Sequence, residues 1–581
     1  MSLLPRFAAL LLFALAPDVA QAAHRPHPPA KPAPVLWADF AHHPAGYLSP
    51  ADRPDALVFL PPPPGPDTPR GKADRAAYGE AKALEGTPRW AEATADADVE
   101  TPGAPRAFTC AAGVDLDPNK TPATSRLLAR VMDDVAKSED RAKDAYARKR
   151  PFLTDDGDTC VDKPDWLVKQ GSYPSGHAAT GWAWALILSE LEPKRAGALL
   201  TRGISFGQSR VVCRVHFVSD VEAGRLVGAA VVARLHANGA FLATSSGRRR
   251  SSRPRADPPP SGAQPRCSPR AAGERLFLRR LLAYRGCRQT GRALMQRMAW
   301  LCMLGSLLAA GAAQAQSAVP AATPALAQTT TPAMAPAPLP KVEPYLGKDR
   351  IPNAILILPP PPVKGSIADQ LDNDTYAKTR ALAGGERWAL ATRDATQYLQ
   401  AFECPLGLRV ADWPKPVAML LARMGRDASS ITNLAKDHFN HPRPFIAPNG
   451  PICTESDRGG LMKSYSYPSG HGTYSWALGL LLAEMAPEHA TELLARARAF
   501  GESRVVCGVH TVSDIEEART NGSVLVAALH GDAAFREDLL NAGKALRAAL
   551  AAPHAAPDAG QCRIEADAEA HTPWINPTAT K

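Results

Sequence analysis

Apolar residues recur every three or four positions along 124–150, TSRLLARVMDDVAKSEDRAKDAYARKR, and again along 417–439, VAMLLARMGRDASSITNLAKDHF. That spacing predicts amphipathic helices. Two further runs, GWAWALILSELEP and WALGLLLAEMAP, are apolar at nearly every position and stop at Pro193 and Pro487, so they read as buried helices ended by proline. No stretch alternates polar and apolar residues as a half-buried strand would. The pattern predicts an all-α protein.

The pattern also occurs twice. Leu60 and Leu358 each precede four prolines, Trp90 matches Trp388, Cys110 in AFTC matches Cys404 in AFEC, and LHANGAF at Leu235 matches LHGDAAF at Leu529. A unit of this length exceeds a solenoid repeat and predicts two tandem copies of one helical-bundle domain, at 23–242 and 316–581. Between them, 243–297 is rich in Arg and Pro without periodicity, and predicts a disordered linker. The formal charge of +10 suggests a nucleic-acid or membrane partner until it is located: residues 241–297 hold fourteen Arg against only Asp257 and Glu274. The folded copies are close to neutral, and no nucleic-acid-binding domain is expected.

Residues 1–22 have the form of a secretory signal peptide: Arg6, a short apolar run and Ala20-Gln21-Ala22. Export to the periplasm or beyond is the expectation, with no stable membrane span. A second segment of that form, 298–315, ends in Ala313-Gln314-Ala315. A membrane span, an internal cleavage site and the joining of two neighbouring genes are three accounts of it. The third also explains why copy one has no match to copy two from Arg536 to Cys562. In an oxidising compartment, a pairing Cys110–Cys160 and its equivalent Cys404–Cys453 would suit the recurring cysteines, leaving Cys213 as a buried thiol.

Three polar clusters interrupt the helices in both copies. The first is Lys143 with Arg150-Pro151, and Lys436 with Arg443-Pro444. Seven residues are two turns, so on a continuous helix the cations share a face about 10 Å apart, although Pro442 suggests that in copy two the helix has already ended. The second is Pro174-Ser175-Gly176-His177, and Pro468-Ser469-Gly470-His471, directly before a helical run. Free backbone N–H groups, a hydroxyl and an imidazole there make a prepared anion site. The third is SRVVCRVHFVSD at 209–220 and SRVVCGVHTVSD at 503–514, identical at ten of twelve positions. It supplies Arg210, His216 and Asp220, and Arg504, His510 and Asp514. On a helix His and Asp at i and i+4 stack one turn apart, so the carboxylate can take the Nδ1 proton and present Nε2 as nucleophile or base. His177 and His216 lie 39 residues apart, as do His471 and His510. Three cations suit a phosphoryl group's equatorial oxygens, while one histidine attacks and the other protonates the leaving oxygen. This chemistry calls for no metal or other cofactor, and no zinc-ligand spacing or P-loop occurs.

The order K-x6-RP, PSGH, SR-x5-H-x3-D resembles the three-part signature of the type 2 phosphatidic acid phosphatase superfamily. GSYPSGH, the proline run and F-x-C are most similar to its secreted branch, the bacterial class A non-specific acid phosphatases. The resemblance covers roughly 55–242 and 350–545. It implies an all-helical domain that hydrolyses small phosphomonoesters in two steps. His216 and His510 would form a phosphohistidine, held by Asp220 and Asp514, and His177 and His471 would be general acids. Lys143, Arg150, Ser175, Gly176 and Arg210, with Lys436, Arg443, Ser469, Gly470 and Arg504, would cradle the phosphate. Mildly acidic pH should suit such a pair of imidazoles. One departure stands out: copy two has Gly508 two residues before its nucleophile, where the family commonly has glycine, and copy one has Arg214, a side chain expected to crowd the pocket or add a cation. The same signature serves vanadate-dependent haloperoxidases, the alternative reading, and membrane lipid phosphatases, which carry several spans that this chain lacks. A phosphate-binding pseudoenzyme is the further alternative for copy one.

Overall fold

The computed structural model describes residues 44–251, apart from 156, and 342–571. The two signal-like segments and the linker beyond residue 251 lie outside the described residues. Every regular element among the described residues is a helix. We number the principal ones α1 (Pro69–Ala81), α2 (Pro122–Tyr146), α3 (Gly176–Leu191), α4 (Ala196–Val212), α5 (Val218–His236) and α6 (Gly239–Ser251) in copy one. Copy two has α7 (Ile367–Thr379), α8 (Lys415–Phe439), α9 (Gly470–Met485), α10 (Ala490–Val506), α11 (Val512–His530), α12 (Ala533–Ala551) and α13 (Ala559–Ala570). α6 carries copy one nine residues past the boundary expected at 242.

α3 and α9 are apolar on all faces and therefore lie at the centre. From Ala178 to Glu190 and from Ser475 to Met485 every residue is buried. α3 packs against α2, α4 and α5, and α9 against α8, α10 and α11. Trp182, Trp184 and Trp476 are fully buried on these two helices, each removing a large apolar surface from water at about 25 cal/mol per Å². The outer helices α2 and α8 are amphipathic and end at Ala147 and Asn440, both in the left-handed conformation (φ 42° and 51°). Arg150 and Arg443 thus stand on the loops beyond rather than on a continuous helix.

The disulfides differ from expectation. Cys160 pairs with Cys213 and Cys453 with Cys507, so Cys213 is no free thiol. Cys404 reaches Cys562 on α13, a helix with no counterpart among the described residues of copy one, and Cys110 is itself disulfide-bonded. Neither expected pairing forms, because the loop after each RP motif returns to the end of α4 or α10. There Cys160 N–H donates to Cys213 O at 3.2 Å and Cys453 N–H to Cys507 O at 3.0 Å. Closing loops of 53 and 54 residues contributes about 4 kcal/mol each in a chain-entropy account.

The copies pack on one another reciprocally: α5 on α9, α3 on α11, α1 on α7. Arg70 joins Glu222 of its own copy and Glu516 of the other, and Arg225 lies 3.4 Å from Glu517. At the centre the rings of His236 and His530 stack at 3.7 Å, with Glu190 on His236 and Glu484 on His530 at 2.9 and 3.1 Å. The sequence shows no metal-ligand spacing, yet Glu190, His236 and His530 bring donor atoms within 4.8 Å of one another. Rings only 6° from parallel cannot both point an in-plane lone pair at one ion, so this is a hydrogen-bonded seam. It lies at the far end of α5 from Asp220, sixteen residues or about 24 Å along the helix.

Candidate active site

α3 and α9 begin at Gly176 and Gly470 with Ser175 and Ser469 as N-caps, whose hydroxyls accept from Ala178 N (3.4 Å) and Gly472 N (3.2 Å). The backbone ties this cluster to the third: Ser175 N donates to Asp220 O at 2.9 Å and Ser469 N to Asp514 O at 3.1 Å. The first cluster joins through Lys143 Nζ, which donates to Pro174 O at 2.6 Å, and Lys436 Nζ, which donates to Ser466 O at 2.9 Å.

His216 and His510 precede their helices instead of lying on them. Asp220 and Asp514 are residues of the first turn of α5 and α11, where their Oδ2 atoms accept from Phe217 N and Thr511 N, each at 2.9 Å. The same Oδ2 atoms take Nδ1 of His216 at 3.3 Å and of His510 at 3.1 Å. Each aspartate therefore caps a helix and orients an imidazole at once, which the i, i+4 spacing satisfies by a different geometry from the one expected. The other ring nitrogen meets an arginine: Arg150 Nη1 lies 2.9 Å from His216 Nε2, and Arg443 Nη1 3.1 Å from His510 Nε2. Guanidinium only donates, so Nε2 is the acceptor and Nδ1 carries the proton. The lone pair on Nε2 faces the cations.

Arg210 and Arg504 are 2% exposed, and Nε and Nη1 of each lack a hydrogen-bond partner. Buried, unpaired, charged donors are costly without an anion. Burial pushes Arg210 down to about 9 and Arg504 to about 10, and Lys436 down to about 7 with Arg443 adding to the effect. His177 and His216 are held well below the ordinary histidine range, first by burial and then by Arg210 and Arg150 respectively. His471 and His510 are held down likewise, by burial with Arg504 and with Arg443. An arriving dianion would relieve all of these at once. His177 Nε2 bonds Ala97 O at 2.9 Å, whereas His471 Nε2 bonds the hydroxyl of Tyr398 at 2.8 Å.

Arg214 does not reach toward these groups. Its guanidinium lies 4.2 Å over the Tyr78 ring and donates to Asp158 O at 3.2 Å. In copy two Arg380 covers the equivalent Tyr376 at 4.7 Å, and a Cβ on Gly508 would collide with it. The guanidinium keeps its place while its origin changes, and both backbones take the left-handed conformation (φ 62° and 81°).

Several residues escape the sequence reading. Arg148 donates to Asp220 Oδ1 at 2.6 Å and to Asp74 Oδ2 at 2.9 Å. In copy two His441 fills this place, 3.0 Å from Ser466 Oγ and 3.7 Å from Asp514 Oδ1. Arg148 lies two residues before Arg150, a spacing that could have flagged it, but Asp74 and Asp372 give no local signal. The serine of each SR pair is structural: Ser209 Oγ donates to Asp96 and accepts from Arg89, and Ser503 repeats this with Asp394 and Arg387.

A helical domain that points two histidines and three cations at one buried spot defines a class of anion-transfer site, and comparison with known proteins names it. The PAP2 superfamily matches at 127–240 and again at 416–536. The chain is 43% identical over 220 residues to an acid phosphatase of Zymomonas mobilis, covering 37% of this chain and 83% of that protein. It is 43% identical over 197 residues to the non-specific acid phosphatase of Salmonella typhimurium and 41% to that of Providencia stuartii, each match covering 34% of this chain and 79% of the relative. The chain belongs to the PAP2 superfamily and carries its domain twice.

Proposed function

We propose that this acid phosphatase hydrolyses phosphate monoesters at two sites, each working through a phosphohistidine and without a metal ion. Nε2 of His216, or of His510, attacks phosphorus as the bond from phosphorus to the leaving oxygen breaks. His177, or His471, gives that oxygen its proton. Water then attacks the phosphohistidine, passes its proton to the same histidine, and the N–P bond breaks to release phosphate. Lys143, Arg150 and Arg210, with the N-terminus of α3, hold the three equatorial oxygens, and Lys436, Arg443, Arg504 and α9 do so in copy two. These fixed positive charges fill the role that a metal would otherwise have. The observation that carries the reading is the Nε2 lone pair, turned by an aspartate behind it toward Arg150 or Arg443, in a site that also buries Arg210 or Arg504 with Nε and Nη1 lacking partners.

The general acids must be protonated to act, and burial together with the neighbouring arginines holds them low. Turnover should therefore favour acidic pH, with bound phosphate raising their affinity for the proton. Export to the periplasm is supported by the disulfide bonds. No single described helix is long and apolar enough to cross a membrane. The test is hydrolysis of a chromogenic phosphomonoester with a chelator present. Undiminished rates support the metal-free mechanism, and loss of activity restored by a divalent cation contradicts it. Mass spectrometry of the exported chain reports cleavage near Ala22 and Ala315.

A further inference from the structure

Glu139 stands on α2 one turn before Lys143 and is 4% exposed. Its Oε1 lies 3.5 Å from Lys143 Nζ, and its Oε2 has no hydrogen-bond partner. The carboxylate is pressed against the first residue of α3, where a Cβ at Gly176 would collide with Oε1. A negative group thus occupies the corner between lysine and helix N-terminus in which a phosphate oxygen would be held. Copy two has Thr432 four residues before Lys436. Its methyl leaves ordinary contact distance, 3.7 Å, to a Cβ at Gly470, and its hydroxyl faces Asn521 Nδ2 at 3.4 Å. Beside the lysine, copy one thus has a carboxyl where copy two has an uncharged threonine.

We infer that Glu139 is the residue that sets copy one's affinity for phosphate, a built-in anion that must be neutralised or displaced before a phosphomonoester settles. The inference rests on the phosphatase reading above. The charged groups facing Glu139 are Lys143 and Asp140 on its own helix and Arg150 on the loop beyond. Burial pushes the carboxyl up, against the pull of Lys143 and Arg150. Its neutral form consequently persists above the usual carboxylate range, and copy one's affinity falls as pH rises through the folded value. Copy two has no such group.

The experiment uses the full chain with one copy silenced, His510→Ala to read copy one and His216→Ala to read copy two. KM and kcat for 4-nitrophenyl phosphate, and inhibition by inorganic phosphate, are measured at about pH 5 and about pH 7.5. Glu139→Gln keeps the shape without the charge. It is expected to lower copy one's KM and its phosphate inhibition constant about tenfold at the higher pH and less than about twofold at the lower, with kcat little changed. Thr432→Glu should raise copy two's KM about tenfold at the higher pH alone. An unchanged KM at the higher pH, or an equal change at both, overturns the inference. If the Gln variant fails to fold by circular dichroism, Thr432→Glu decides alone. No turnover by either singly silenced chain defeats the phosphatase reading and this inference with it, whereas active copies that ignore both substitutions defeat only this one.

Discussion

Copy one and copy two present the same lysine, arginines, histidines and aspartate to the same spot, and hold them with different neighbours. Behind the orienting aspartate stands Arg148 in one and His441 in the other. Beside the lysine stands Glu139 or Thr432, and on His177 or His471 a backbone carbonyl or Tyr398, whose ring stacks on His471 at 4.9 Å. Arg214 and Arg380 reach one place from two origins. The groups that would touch phosphate are common to both copies because the chemistry leaves little choice. The surrounding groups only need to supply a charge or fill a volume, so they have diverged.

The comparison breaks first at the aspartates. With the other copy silenced, Asp220→Asn and Asp514→Asn should each lower kcat by about 10²–10⁴, since an amide neither holds the Nδ1 proton nor stabilises the imidazolium. Equal losses would show that Arg148 and His441 support the same arrangement. Next come the proposed general acids: His177→Ala and His471→Ala should cost about 10²-fold on an alkyl phosphate and much less on a nitrophenyl phosphate, whose leaving oxygen needs no proton. A larger loss at His471 would assign Tyr398 a share in that proton transfer.

A smaller effect separates the copies by pH. Burial opposes the charged form of His441, but the nearby carboxylate of Asp514 and the charges of Asp372 and Asp369 raise its pKa. A histidine raised in the folded state stabilises fully below its ordinary value, near 6.5, and that contribution is lost as pH rises through the folded value. Arg148 keeps its charge throughout. Urea unfolding should show His441→Arg losing less stability than the parent as pH rises from about 6.5. Identical pH dependence would exclude His441 as the titrating group. Smallest is Arg214→Gly, which removes the cation over Tyr78. About 1 kcal/mol of stability should go, with copy one's kcat/KM unchanged within about twofold, and a large rise in activity would revive the idea of a crowded pocket.

The helical periodicity, the repeat and all three clusters were legible because each is a local pattern. Ser175 and Gly176 announce a helix start by residue type alone. What depends on the chain's return path was not legible. Cys160 faces Cys213 because the loop after Pro151 folds back on α4, and spacing says nothing of that. His216 and Asp220 fit i, i+4 yet form a helix cap, since a first-turn aspartate accepts the backbone N–H and the imidazole together. Glu139 is one charge among many on an amphipathic helix, and only the approach of Gly176 from α3 sets it apart. The seam of Glu190, His236, Glu484 and His530 exists only once two copies meet.

The central claim is that the chain has two independent histidine nucleophiles. Its most direct test is the rate of phosphomonoester hydrolysis by the full chain, by His216→Ala, by His510→Ala and by the double variant, all at mildly acidic pH. Each single change should leave the other copy's turnover, the two remainders should add up to the parent rate, and the double variant should fall by at least about 10³-fold. Substantial activity in the double variant, or its complete loss in either single one, would contradict the account.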